Sequence, residues 1–372
     1  MDSFKTLGRR DFLKASAAMA SAAAAGSFSC IGIANAAPIA PPAVDKLSIR
    51  VVVDSAFDSF FRPAQVNGVS IRAAARPSNW RRTLHNEWGL SLWLESQVQG
   101  AARTIMLDYA YTSPVLLNNI ELLGLDPAKL DALIVSHGHA DHYGGLNGFL
   151  DKFRAALPAE VTLYAGGEDN FCHRLAGPGA GQLVDNGTLD RRELAAQRIK
   201  TVLCETPTVV AGHAFTTGQI KRDSIERVLP NTFVEFGVKD QLGCNIAHYL
   251  PAEMEGKIVP DQHLHEHATC FNVRDRGLVV ISSCGHSGIV NSVRQAQAVS
   301  GVDKVHAIVG GFHLGPAPAD YLKVVVAEIG KLNPDVLIPM HCSGLNFVQE
   351  ARAQLGEKVL VTTTGSRIDF GA

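Results

Sequence analysis

Between residues 134 and 145 the chain reads IVSHGHADHYGG: three histidines and an aspartate within six positions, after an apolar run and before two glycines. In extended backbone His137 and His139 are two apart and point the same way. Asp141 and His142 follow where the chain turns toward a helix. The stretch can therefore offer two ligands to one ion and two to a neighbour. Imidazole with carboxylate suits zinc, and also iron or manganese. Two close ions can hold a hydroxide and polarise a substrate oxygen. A polar surface loop could carry the same residues, but the buried strand before them and the glycines after them place the group at a strand end.

The 372 residues are 46 % apolar and 19 % charged, which suits a packed core rather than disorder. Beyond the N-terminus no apolar run is long enough to span a bilayer. The N-terminus itself reads as an export signal over residues 1–36. Arg9 and Arg10 are followed by Phe12, Leu13 and Lys14, then an alanine-rich apolar stretch, then Ala-Asn-Ala at 34–36. The arginine pair resembles a twin-arginine signal, an address read by the twin-arginine export machinery, so the expected location is periplasmic or extracellular. A lipoprotein reading at Cys30 is weaker, because SFSC lacks the usual apolar residue three before the cysteine. Residues 37–46 read as a Pro-rich linker outside the fold.

The signal takes four of the 34 basic and two of the 36 acidic residues, leaving a net charge of −4 and nothing resembling a nucleic-acid surface. Six of the seven cysteines lie beyond it. Their irregular spacing argues against a disulfide framework, although export would permit one.

From residue 47 to 372 the pattern is that of one domain. Strands are expected at LSIRVVVDSA, GLSLWLES, RTIMLDYAY, LDALIVSH and VTLYAGG. Helices are expected at SPVLLNNIELLGL, capped by Ser113, and at GGLNGFLDKFRAAL. Residues 168–225 read as an insertion containing the strands of TVLCETPTVV. TFVEFGV is a further strand, and 240–266 reads as an inserted loop ending in DQHLHEH. The C-terminal third alternates again, with TCFNV and GLVVISSCGH as a hairpin, strands at VHAIVGGFHL and DVLIPMHCSG, helices between them, and KVLVTTTGSRIDF as a closing strand. Two mixed sheets packed together with helices outside satisfy this order.

SHGHADH resembles the signature of the metallo-β-lactamase superfamily, which implies an α/β fold, a four-layer αββα sandwich. EWGLSL (87–92), CGHSGI (284–289), GGFHL (310–314) and HCSG (341–344) narrow the resemblance to the 7,8-dihydropterin-6-methyl-4-(β-D-ribofuranosyl)aminobenzene-5′-phosphate synthase family. That resemblance implies a first ion on His137, His139 and His286 and a second on Asp141, His142 and His341. The superfamily usually bridges the two with an aspartate, and none stands near 281–288. Cys284 is the nearest replacement, since thiolate is a good zinc ligand; it also reads as a small buried apolar residue. Asp108 is expected to accept a hydrogen bond from a ligand imidazole, with Tyr109 and Ala110 where the family has Thr-Gly.

His313 stands beside the cluster and reads as a metal or substrate contact, or as packing. In DQHLHEH, His263, His265 and His267 would share one face of an extended segment, with His267 the best ligand among them. His306 reads as a core histidine and His213 as lining the mouth. Arg222 reads either as a grip for an anion or as a solvated surface arginine.

The resulting expectation is an exported hydrolase carrying one or two zinc ions, with iron or manganese also compatible. It would act on a small molecule, and Asp141 would orient or accept protons. The alternatives are a pterin-type transferase as in the named family, a lactone, β-lactam or phosphate-ester hydrolase, and a metal-dependent binding protein without turnover.

Overall fold

Val51 and Val52 face opposite ways, and that alternation builds the whole domain. The computed structural model describes residues 39–177, 182–229, 232–245 and 258–371. The expected signal and the start of the linker lie outside the described residues, as does 246–257 within the expected loop.

A nine-stranded sheet runs in the order Lys200–Leu203, Thr162–Ala165, Ala132–Val135, Ala101–Leu107, Ser91–Val98, Lys46–Val53, Arg367–Phe370, Val69–Arg72, Ala64–Val66. A seven-stranded sheet runs Thr208–Val210, Ala214–Thr216, Thr269–Val273, Gly277–Ser282, Val305–Gly310, Val336–Pro339, with Ala43–Val44 alongside Thr269–Val273. From the first sheet Val51, Leu92, Leu94, Ile105 and Ile134 point inward, meeting Val279, Ile281, Val309 and Ile338 of the second. Their sequence neighbours point outward. Val52, Trp93, Met106 and Leu133 pack with Leu116, Ile120, Phe149 and Leu150 of the Ser113–Leu122 and Leu146–Phe153 helices. Leu278, Val280, Ile308 and Leu337 pack under the Ile289–Ser300, Ala319–Leu332 and Leu345–Leu355 helices. Strands buried on both faces, with period two dividing the residues between layers, give the αββα sandwich.

Several expectations are corrected. The linker is not outside the fold: Ile39 N–H donates to the Val299 carbonyl, and Ala43–Val44 joins the second sheet. Segment 168–225 is not a separate insertion throughout, because Lys200–Leu203 edges the first sheet and Thr208–Val210 and Ala214–Thr216 edge the second. The loop expected at 240–266 contains the strands Leu242–Cys244 and Ile258–Pro260. The latter completes a four-stranded sheet with Thr232–Glu235, His173–Ala176 and Val184–Asp185. Ser113 is the first helical residue and Thr112 occupies the cap position, its hydroxyl donating to Glu87 rather than capping the helix. Of the closing strand only Arg367–Phe370 pairs as a strand. Cys172 and Cys244 form a disulfide across 72 positions, while Cys204, Cys270, Cys284 and Cys342 are free and buried. No helix among the described residues is long and apolar enough to cross a membrane.

Candidate metal centre

Gly277–Ser282, Val305–Gly310 and Val336–Pro339 are successive parallel strands, so the turns that follow them lie side by side. Those turns carry Cys284 and His286, His313, and His341 with Cys342. From the first sheet Ala132–Val135 delivers His137, and the turn after Ala101–Leu107 delivers Asp108. Gly138 is required between the two first histidines, since any side chain there would meet the Arg174 guanidinium and the Asn170 carbonyl.

His137, His139 and His286 bring ligand atoms within 4.8 Å of one another, and so do Asp141, His142 and His341. The two sets adjoin, with the His137 and His142 ring centroids 4.2 Å apart. Three of the imidazoles are oriented through one ring nitrogen, whereas both ring nitrogens of His286 lack a hydrogen-bond partner. His142 Nδ1 lies 2.8 Å from Asp108 Oδ2, His137 Nδ1 lies 3.0 Å from the Ser136 hydroxyl, and His139 Nε2 lies 3.1 Å from the Thr232 hydroxyl. Asp108 in turn accepts from the Ser136 backbone N–H and hydroxyl, both at 2.8 Å. The Nε2 atoms of His137, His142 and His286 are buried and have no hydrogen-bond partner. Buried polar atoms without partners are costly, and these belong to the two adjoining sets, in the second of which Asp141 Oδ2 lies 3.2 Å from His341 Nε2 and 3.7 Å from His142 Nε2. The donor set fits divalent cations.

Burial, reinforced by neighbouring imidazoles, lowers the pKa of His137 and His286 well below the usual histidine value. Burial also lowers His139, against the pull of Asp261. Neutral imidazole is the form that binds metal. His341 differs. Burial opposes its charge, but Cys342, Asp141 and Asp54 raise it to about 9. Burial would raise Asp141, but His142, His341 and His139 hold it below the ordinary carboxylate value.

Cys284 Sγ also reaches His137 and His142, in the place expected for a bridging ligand. It lies 3.1 Å from Cys342 Sγ and 3.6 Å from His313 Nδ1. His313 therefore sits with the cysteines, its ring 4.1 Å from that of His286.

Other expectations shift. His263, His265 and His267 do not share a face, because the segment turns, with His263 at φ 51°. His267 is not placed as a ligand: its Nε2 lies 3.2 Å from the Val135 carbonyl, and it joins no metal-competent group among the described residues. His265 Nε2 accepts from the Gly138 N–H. His263 instead groups with His139 and Asp261, its ring stacked 4.0 Å from that of His286. His213 does not line the mouth; it is buried beside Ser96, with Nδ1 2.9 Å from the hydroxyl. Arg222 ties the Gln262 carbonyl to the Ser287 hydroxyl. His306 is buried and lies 2.8 Å from Asp335, as a core histidine should.

Sequence reasoning missed the supports. Glu266 accepts from the backbone N–H groups of His286 and Ser287 at 3.0 and 2.6 Å. Asp54 accepts from the His341 N–H at 2.9 Å. Asp261 holds the wholly buried Arg174 at 2.8 Å. The only hint was their position just before or after strands.

Around this centre the side chains are nearly closed off; Asp141 is partly exposed, its side chain at 15 %, while the His341 side chain is buried beside it. The exposed indole of Trp88 stands there, 4.9 Å from the His341 ring. A cavity of about 990 Å³ lies elsewhere, lined by His173, Asp185 and Glu235, and includes none of these residues.

A family model for the metallo-β-lactamase superfamily matches residues 98–218. The chain is 29 % identical over 262 residues to a 7,8-dihydropterin-6-methyl-4-(β-D-ribofuranosyl)-aminobenzene-5′-phosphate synthase of Methanocaldococcus jannaschii, covering 70 % of this chain and 82 % of that one. It is 23 % identical to an uncharacterized protein of the same organism, covering 65 % and 80 %. Its fold is similar to that of a metal-dependent hydrolase of the β-lactamase superfamily, with TM-score 0.62, 19 % identity, and 86 % and 98 % of the two chains covered.

Proposed function

We propose that this chain, a member of the metallo-β-lactamase superfamily related to a pterin-synthesis enzyme, is an exported metal-dependent hydrolase of a small molecule. The observation that carries the metal-dependent reading is the pair of adjoining ligand sets, His137, His139 and His286 in one and Asp141, His142 and His341 in the other, with the Nε2 atoms of His137, His142 and His286 buried and unpartnered. His137, His139 and His286 would hold one ion; Asp141, His142 and His341 would hold the other. Zinc suits that donor set best. Bound ions would polarise a substrate oxygen and activate a water for attack. Asp141 is a partly exposed carboxylate, its side chain 15 % exposed, and would orient that water and take its proton. Trp88 offers a flat apolar surface beside it.

A second reading is transfer chemistry on a pterin-like ring, supported by the related synthase and by the aromatic surface at the opening. Export rests on the N-terminal sequence, and the Cys172–Cys244 disulfide is in keeping with an oxidising compartment.

The test is metal content of protein purified from its own compartment, then turnover of ester, lactone, β-lactam and phosphodiester probes before chelation, after it, and after reloading. Chelator-sensitive hydrolysis supports the reading. A fully loaded protein that hydrolyses none of these yet converts a pterin substrate would replace it with the transferase. Replacing Arg9 and Arg10 with lysine should hold precursor in the cytoplasm, and normal export of that variant would remove the twin-arginine assignment.

A further inference from the structure

Cys284, Cys342 and His313 belong to three different turns, each following one of three adjacent parallel strands. Nothing in the two histidine–aspartate groups requires all three to meet. Yet their donor atoms lie within 4.8 Å of one another, with the two sulfurs 3.1 Å apart and His313 Nδ1 3.6 Å from Cys284. The cysteines are nearly wholly buried and not bonded to each other.

We propose that Cys284, Cys342 and His313 form a third metal site, a thiolate-rich one for a soft cation such as zinc or copper(I), beside the two-ion centre. Two sulfurs and an imidazole are the donors such ions prefer over oxygen. The surroundings fit thiolate. The His313 backbone N–H donates to Cys342 Sγ at 3.2 Å, as amides do around sulfur ligands. His313 and His341 both sit in the left-handed region, at φ 49° and 48°. Gly311 leaves room for the sulfur: a Cβ there would lie 2.8 Å from Cys342 Sγ. His313 Nε2 is buried and unpartnered, so nothing ties the ring to another role.

Cys342 distinguishes this site from a simpler one. Cys284 also reaches His137 and His142 and could serve the two-ion centre alone, whereas Cys342, among the described residues, groups only with Cys284 and His313. The site goes beyond the hydrolase reading and does not depend on it.

The experiment loads the full chain with cobalt(II), counts bound ions, and records the near-ultraviolet thiolate-to-cobalt absorption. The variants are Cys342→Ser, Cys284→Ser and His313→Gln, with circular dichroism as the folding check. Wild type should bind one more ion per chain than Cys342→Ser and show the thiolate band, which that variant loses while keeping the ions at the histidine groups. His313→Gln should bind the third ion more weakly. A saturated wild type without a thiolate band overturns the site, and this outcome needs no variant to fold. So does a band that survives Cys342→Ser undiminished but vanishes in Cys284→Ser, because Cys284 then serves the histidine-bound ion. So does a mass showing that Cys284 and Cys342 resist alkylation in the denatured, unreduced chain and react only after reduction, since they were then joined as a disulfide.

Discussion

Asp108 Oδ2 lies 2.8 Å from His142 Nδ1, and both side chains are wholly buried. The contact fixes the imidazole so that Nε2, which has no other partner, faces Asp141 and His341. A carboxylate behind a ligand histidine sets its tautomer and raises its basicity. Asp108→Asn keeps the shape and removes the charge. Metal affinity at that group should fall about 10–100-fold, read by competition with a chromophoric chelator. Undiminished affinity would mean that Asp108 only supports Ser136.

Asp141→Asn separates chemistry from binding. The amide fits the space but can neither take a proton nor balance an ion's charge. Ion stoichiometry at the Asp141–His142–His341 group should drop, and kcat should fall more than KM rises. Two ions and full turnover in this variant would rule out the two-ion mechanism.

The disulfide gives a stability prediction. It joins the segments before His173–Ala176 and at the end of Leu242–Cys244, closing a long loop across 72 positions. Replacing both cysteines with serine frees that loop in the unfolded chain, at a cost of about 4 kcal/mol on the chain-entropy account. Denaturant unfolding of the double variant measures it. An unchanged midpoint would show that the small sheet is held by its own pairing.

His173 stands between two carboxylates, Glu235 at 2.9 Å and Asp185 at 3.0 Å. Burial lowers its pKa, but the two partners outweigh that and raise it above the usual value. A raised folded-state pKa means that the protonated form is favoured by folding. The stabilisation is therefore fully present below about pH 6.5, and it is lost as pH rises through the folded-state value. The melting-temperature gap between wild type and His173→Gln should be wider at about pH 5 than at about pH 9. Equal gaps would leave the two contacts as screened surface pairs.

The sandwich was legible because its strands are buried on both faces. Runs such as IML at 105–107 and LVVI at 278–281 sort by period two into inner and outer layers. The histidine cluster was legible because each member ends such a strand. What escaped the sequence depends on contacts between distant residues. Val44 looked like linker, yet pairs with Val273. His263, His265 and His267 suggested an extended comb, but Asp261 takes the buried Arg174 and accepts from the His263 N–H at 2.8 Å, which forces a turn. The turn sends one ring to the metal centre, one to Arg174 and one to the Val135 carbonyl. Alternation has no way to announce a buried arginine.

That turn bears on the last prediction. His263 lies flat against His286, 4.0 Å between centroids, and both of its ring nitrogens are buried without partners. It is the imidazole best placed to substitute if His286 is lost. His286→Ala should weaken the first ion without abolishing it, and His286→Ala with His263→Ala should abolish it while the ion on Asp141, His142 and His341 persists. His306→Ala supplies the contrast. It removes a buried imidazole bonded to Asp335 and should cost about 1–3 kcal/mol of stability with no change in metal content. Metal analysis and melting curves on the four proteins decide the matter. If His286→Ala alone already empties the first group, His263 is not a stand-in ligand, and its strained backbone serves only to pack the neighbouring ring.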